Sequence, residues 1–296
     1  MILKTEETKM NKIYFIILQY IKYDDTCQCI NSILNNIAVE CYDVHIVVVD
    51  NASANKAGDK IRNIYINNPT VIILENETNL GFSKGNNVGF RYAKSNGADY
   101  IVQINNDTII NDRQFIDTLI MLYKTEKYAV LGPDILSLKD NLHQNPIKTF
   151  TKDLYHVDSK IIKNEVGLIL NVMNLDQFIK KNSYHEMPWN NKLNISTSNG
   201  YALQGACLIF SPIYIECFDG MFEGTFMFYE EHILEFLCER KNLKMIYSPA
   251  LQILHKEGST QEMLNKNDKQ KRRFKYIESI KSLKSFSILI KNNSNF

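Results

Sequence analysis

What constrains this chain most is an alternation. Between residue 12 and about residue 135, apolar runs at 13–18, 44–49, 71–74, 100–104 and 129–131 are separated by polar stretches long enough to turn through a helix. Unbroken apolar runs of strand length suit strands covered on both faces, and helix-length intervals suit crossovers. The pattern therefore predicts a mostly parallel α/β sheet. Asp24 or Asp25 can cap a first helix whose apolar positions include Cys27, Ile30, Leu34 and Ile37, and Pro69 follows a second helical stretch containing Ile61, Ile64 and Tyr65. Ligands of open sheets bind beyond the carboxyl ends of the strands. Three runs end there in polar clusters: Asp50-Asn51, Asn76 to Asn87, and Asn105-Asn106-Asp107.

Residues 139–200 have weaker periodicity, many Asn and Lys, and the only Trp, Trp189, and they read as an insertion. Order returns with a strand over 202–210, a turn at Asp219-Gly220, a helix over 229–240 and short strands near 244–247 and 251–254. At 296 residues and 45% hydrophobic, the chain can bury a large core and is too apolar to be disordered. Its formal charge of +1 lacks the basic excess of a nucleic-acid-binding domain, so no nucleic acid is expected as a partner. The charge is uneven, however. Residues 261–296 carry nine Lys/Arg against three Asp/Glu, and residues 1–260 carry 25 against 30, so the end of the chain reads as a basic helical tail. No apolar run approaches the ~18 residues of a membrane span, and the first dozen residues lack a signal-peptide core. The six cysteines form no CxxC pair, and a reduced, cytoplasmic setting follows. With 33 Asn in the chain, isolated Asn pairs carry little weight.

Several residues could carry chemistry, each with a plainer alternative. Asp50 follows three valines, where a carboxylate can accept the imide N–H of a uracil or thymine base; an Asx turn with Asn51 and Ser53 is the alternative. The segment Asn79 to Gly89 offers glycines for close backbone approach and Lys84 for phosphate, although its glycines, four apart, also suit helix packing. It is not a GxGxxG dinucleotide fingerprint. Asn105 and Asp107 could hold Mg²⁺ or Mn²⁺ against a diphosphate, or Asp107 or Asn111 could cap a helix over 112–124. Glu230 and Glu231 follow the aromatic stretch 226–229. Adjacent helical residues point about 100° apart, so one can serve as a general base while the other anchors the loop; both could instead be acidic charge at a helix N-terminus. His255 closes an apolar run and could complete a metal shell, with Gly258, Ser259 and Thr260 closing over phosphate, or it could be structural.

Taken in order, Val47–Ser53 (VVVDNAS), Asn79–Gly89 (NLGFSKGNNVG), Ile104–Thr108 (INNDT), Gly205-Ala206-Cys207, Phe218–Glu231 (FDGMFEGTFMFYEE) and Pro249–His255 resemble the family 2 glycosyltransferases of the GT-A fold, particularly bacterial rhamnosyl- and galactosyltransferases of surface-polysaccharide assembly. The resemblance covers roughly residues 12–260. It implies a Rossmann-like nucleotide-binding half over about 12–135 and a mixed acceptor and catalytic half over about 136–260. It places Asp50 at the donor base and Asn79, Gly81 and Lys84 along the nucleotide cleft. Asn105 and Asp107 match the ends of the family's Asp-x-Asp metal motif, with Asn in place of the first acid, and His255 matches a residue that touches metal or diphosphate. Glu231 matches the catalytic base and Glu230 a positioning residue.

The activity so implied is inverting transfer of a sugar from a UDP- or dTDP-sugar, such as galactose or rhamnose, to a hydroxyl of a glycan or polyprenyl-diphosphate-linked oligosaccharide. The alternatives are a sugar-phosphate nucleotidyltransferase, which lacks here a glycine- and basic-rich N-terminal triphosphate loop, and a non-catalytic nucleotide-sugar-binding scaffold, suggested by Asn105. The basic tail is expected to hold the enzyme at the anionic inner face of the plasma membrane, or else to pack on the domain or on another subunit. Phe274, Ile277, Ile280, Leu283 and Phe286 are three apart, and such a stripe winds around a helix.

Overall fold

The computed structural model describes residues 10–37, 41–178, 195–196, 200–257 and 267–293; Trp189 and the segment from Gly258 to Thr260 lie outside them. Strands β1 (Lys12–Gln19), β2 (Asp43–Asp50), β3 (Val71–Glu75) and β4 (Tyr100–Asn105) are parallel and alternate with helices α1 (Tyr23–Asn36), α2 (Ala57–Ile64) and α3 (Phe82–Ser95). After the short β5 (Thr108–Ile109) come α4 (Phe115–Glu126), β6 (Val130–Ser137), β7 (Ile147–Lys148) and the 19-residue α5 (Leu154–Val172). The described chain continues through β8 (Ile195–Ser196), β9 (Tyr201–Ala202), β10 (Cys207–Phe210), α6 (Pro212–Cys217), α7 (Glu230–Arg240), β11 (Met245–His255) and α8 (Asp268–Asn293).

The main sheet has the order β3-β2-β1-β4-β10-β6-β11-β5, with β8 also on β11, while β7 and β9 form a separate ribbon. Its first half is parallel, and β10 enters antiparallel between β4 and β6. Alternate residues of β1 serve opposite faces. Ile13, Phe15 and Ile17 pack with Ile30 and Ile33 of α1 and Leu119 of α4, whereas Tyr14 and Ile16 pack with Phe90 of α3. That double burial is why the runs read as unbroken apolar sequence.

The five strands expected between residues 12 and 135 are β1 to β4 and β6, the one expected over 202–210 is divided between β9 in the ribbon and β10 in the main sheet, and the expected helices over 112–124 and 229–240 are α4 and α7. Three local expectations are corrected. Asp24 and Asp25 lie inside the first turn of α1 rather than capping it, and Asp25 pairs with Lys256 at 2.8 Å. Neither Asp107 nor Asn111 caps α4, whose N-cap is Gln114, without a side-chain cap bond. The two late strands are one, β11, broken in register between Ser248 and Gln252.

The basic end of the chain is helical over Asp268–Asn293, and that helix is packed. Ile280, Leu283, Phe286 and Ile290 of α8 are buried with Val157 and Ile161 of α5 and Ile233 and Phe236 of α7. No helix among the described residues is long and apolar enough to cross a membrane.

Candidate active site

Strand order reverses at β1: β2 and β3 lie to one side and β4 to the other, which opens a crevice beyond the carboxyl ends of β1 and β4. Register aligns Gln19 of β1 with Asp50 of β2 and Leu18 with Asn105 of β4, so the polar residues that end these strands share one edge.

Asp50 is buried, and its carboxylate accepts from the Gly58 N–H at 3.0 Å, the Ser53 N–H at 3.3 Å and the Ser53 hydroxyl. The Asx-turn reading is thus correct for part of its capacity. A carboxylate has about four acceptor sites, which leaves room for one further donor. Beside it, Asn51 donates to Asn79 Oδ1 at 3.0 Å and to the Gly81 carbonyl at 3.1 Å, and accepts from Asn76 and from the Leu80 N–H. This fully used amide fastens the loop after β3 to the end of β2. The sequence offers it only as part of a polar cluster and an Asx turn, not as the anchor of this loop.

Gly81 has φ +81°, and a Cβ there would lie 2.3 Å from the Phe226 carbonyl oxygen, so only glycine fits. The Phe82 N–H donates to that same carbonyl at 2.8 Å. The nucleotide-half loop is thereby tied to the aromatic stretch that precedes the glutamates. Lys84, in the first turn of α3 and three residues beyond Gly81, is exposed.

Asn106 turns away, donating to Thr26 at 3.1 Å, while Asp107 is buried against His255, with Oδ1 3.2 Å from Nε2. Burial raises the Asp107 pKa, but the His255 hydrogen bond and charge, a backbone N–H and Lys256 outweigh it and hold the carboxyl below its ordinary value. The other ring nitrogen of His255 meets Gln144 Oε1 at 2.7 Å. Gln144, in the poorly periodic stretch, carried no signal in the sequence.

A cavity of about 850 Å³ lies against these groups, lined by Asn105, Gln144, Gly205, Glu230, Glu231 and His232 among others. Phe228 and Tyr229 enter α7 with φ of +75° and +70°, an uncommon pair of left-handed non-glycine residues that sets the two glutamates at the helix start. Glu230 is buried, and its Oε1 has no hydrogen-bond partner. Burial first, and then the charge of Glu231, push the Glu230 pKa up. Burial also raises Glu231, moderated by its own backbone N–H and that of Gly205. Gly205 approaches so closely that a Cβ there would lie 2.9 Å from Glu231 Oε1. His232 Nδ1 is enclosed without a partner, and burial, then Lys160 and Lys152, lower its pKa to about 4, so it is neutral near pH 7.

The structure thus brings Asn105, Glu230 and Glu231 into one cavity and places Asp107 and His255 beside it through Gln144. Asp50, Asn79 and Gly81 are linked through Asn51 along the neighbouring crevice. A carboxylate pair of raised proton affinity facing a cavity, with an anionic Asp and a His at an adjacent strand edge, suits proton abstraction next to a phosphate-bearing ligand.

The family model for glycosyl transferase family 2 matches residues 14–178, more than half of the chain. The low-salt glycan biosynthesis hexosyltransferase Agl10 of Haloferax volcanii is 20% identical over 255 residues, covering 86% of this chain and 70% of that protein. Among solved structures, GalNAc-T7 with UDP, GalNAc and Mn²⁺ aligns with TM-score 0.59 and 11% identity over 92% of this chain, which spans about half (48%) of that one. S. aureus TarS 1-349 in complex with UDP-GlcNAc is 20% identical over 47% of this chain and 38% of that one, with TM-score 0.39. The curled mixed sheet is that of the GT-A fold.

Proposed function

Because the chain belongs to glycosyl transferase family 2 and is a glycosyltransferase of the GT-A fold, we propose that it transfers a hexose, with inversion, from a UDP- or dTDP-sugar to a hydroxyl of a glycan or lipid-linked oligosaccharide. The acceptor would be presented at the cytoplasmic face of the plasma membrane during surface-polysaccharide synthesis. The observation that carries this reading is the single cavity that Asn105, at the end of β4, shares with Glu230 and Glu231 at the head of α7. It lets a donor anchored at the strand edge meet an acceptor held against a carboxylate.

In this reading Asp50 receives the imide N–H of the donor base, Asn79 and Gly81 shape the nucleotide crevice, Lys84 reaches phosphate, and Asn105 meets the donor near its diphosphate. Glu231 accepts the proton of the attacking acceptor hydroxyl. Its raised proton affinity makes it a better base, provided that the proton of the pair is elsewhere when substrate arrives. Glu230, on the adjoining face of the helix, positions Glu231 and the loop. Inversion needs no covalent intermediate: the hydroxyl attacks the anomeric carbon from one side as the nucleoside diphosphate leaves from the other, and its proton ends on Glu231.

Asp107 and His255 fit a divalent cation, Mg²⁺ or Mn²⁺, in the type and nearness of their atoms: the Asp107 carboxylate is a hard oxygen ligand 3.2 Å from His255 Nε2, and a cation bound between them would take the place of the proton they share. No three His, Cys, Asp or Glu side chains converge among the described residues, so substrate oxygens and water would complete the shell. Bound there, the cation would neutralise charge growing on the leaving diphosphate.

A thermal-shift panel of UDP- and dTDP-sugars, with and without Mn²⁺, tests the donor assignment. A matching donor should raise Tm by linkage, stabilising the folded chain by about 2.7 kcal/mol at one hundred times Kd, and more with Mn²⁺ than without. No shift with any of them would overturn the assignment, and binding without turnover would favour a scaffold.

A further inference from the structure

The helix hidden in the least periodic part of the sequence has two apolar faces. One face of α5, through Val157 and Ile161, packs against α7 and α8. The other carries Tyr155, Ile162, Val166, Ile169 and Met173, at spacings of seven, four, three and four, all exposed and with Ile162 and Ile169 above 60%. Phe178, 76% exposed, extends the row past the helix end. From Ile162 to Met173 the row runs at steps of four, three and four for three turns, with Tyr155 set apart from it by the exposed Asp158 and Ser159, and such a row is not the scatter of single apolar residues that any surface shows.

The neighbour of this stripe is the most basic element of the chain. Helix α8 carries eight Lys/Arg against Asp268 and Glu278, and it is fastened along α5. Tyr276 packs on Gly167, Lys269 donates to the Val172 carbonyl at 2.8 Å, and Arg272 pairs with Asp176 at 2.7 Å. Lys163 of α5 and Lys271, Arg273 and Lys275 of α8 have no acidic partner among the described residues. An exposed apolar row beside unpaired cations is the chemistry of a surface that lies in the headgroup region of an anionic bilayer.

We propose that the paired helices α5 and α8 form a peripheral membrane-docking surface, with the α5 stripe entering the apolar boundary and the cations of α8 meeting anionic headgroups. The basic helix alone does not supply the insertion face, because Ile280, Leu283, Phe286 and Ile290 are spent on the protein core. Lys160 of α5 and Lys275 of α8 also line the 850 Å³ cavity, so the docked helices are a wall of the candidate site. Docking there would bring the cavity to the surface that holds a lipid-linked acceptor. That last consequence rests on the function proposed above; the docking itself does not.

Vesicle flotation of the full chain without donor provides the test. Binding to phosphatidylcholine vesicles containing one-quarter phosphatidylglycerol should exceed binding to pure phosphatidylcholine by about tenfold and fall in high salt. The double change Val166→Glu and Ile169→Glu should reduce binding at least ~tenfold with an unchanged Tm, since both side chains are exposed. Lys271→Glu with Arg273→Glu should remove the preference for the anionic lipid. Glu231→Gln should float as wild type does, so that a failed transfer assay leaves the docking result standing. Equal binding by wild type and the α5 variant, or no binding by wild type, would overturn the proposal. So would a size-exclusion mass that halves in the α5 variant without a change in flotation, which would assign the stripe to a second copy of the chain.

Discussion

At the scale of single residues the site depends on close approaches that a small substitution can disturb. Gly205 leaves room for the Glu231 carboxylate, and the atom a new methyl would meet is the movable end of that side chain. Gly205→Ala should therefore fold and bind donor normally while kcat falls by roughly tenfold or more, because it displaces the proposed base without touching the proposed nucleotide crevice. Steady-state kinetics beside donor calorimetry would check this; an equal loss in donor affinity would contradict it.

The paired glutamates make a pH prediction. Burial raises both pKa values and the charge of Glu231 raises that of Glu230 further, so the pair sheds its last proton above the ordinary carboxylate range and kcat rises as pH rises through that step. Glu230→Gln removes the neighbouring negative charge and should move the acid limb of the kcat profile to lower pH. A limb that stayed in place would show that the pair does not titrate together. The charged residues of this site were legible in the sequence because strand ends and helix starts are where such groups do chemistry. Asn51, Gln144 and His232 were not, since an amide in an Asn-rich chain and an aromatic among aromatics become distinctive only through their neighbours.

At the scale of elements, the parallel half was legible because strands buried on both faces leave unbroken apolar runs, as Ile13 to Leu18 and Ile46 to Val49 do. Helix α5 was not. Its Val157 and Ile161 face protein while Ile162, Val166 and Ile169 face outward, and two apolar stripes on one helix erase the 3.6-residue period. The break in β11 hid a single strand behind what reads as two. The edge formed by β5 and the end of β11 makes its own prediction, because it sets Asp107 against His255. Asp107→Ala should abolish stimulation of transfer by Mn²⁺, and Asn105→Asp should tighten the metal requirement by adding a second acid. Mn²⁺ titration of activity in both variants is the check, and unchanged metal dependence in Asp107→Ala would remove the metal from this edge.

At the scale of the molecule, three apolar clusters among the described residues hold the chain together, and the last is the one composition concealed. A strongly basic segment reads as a tail, yet Leu283 and Phe286 of α8 are fully buried with α5 and α7, so the helix that carries Glu230 and Glu231 leans on the end of the chain. Phe286→Ala should cost about 3–5 kcal/mol in denaturant unfolding; a loss under ~1 kcal/mol would mean that α8 is not part of the cooperative core.

Glu231 is proposed to take the acceptor proton in sugar transfer from a nucleotide donor, and Glu231→Gln tests that role with least disturbance of shape. Nucleoside diphosphate release should be followed in wild type and variant with the donor that raises Tm and saturating Mn²⁺, beside calorimetric donor binding. The account predicts kcat lower by roughly 10²-fold or more with donor Kd unchanged within about twofold; a variant that turns over at near the wild-type rate would contradict it.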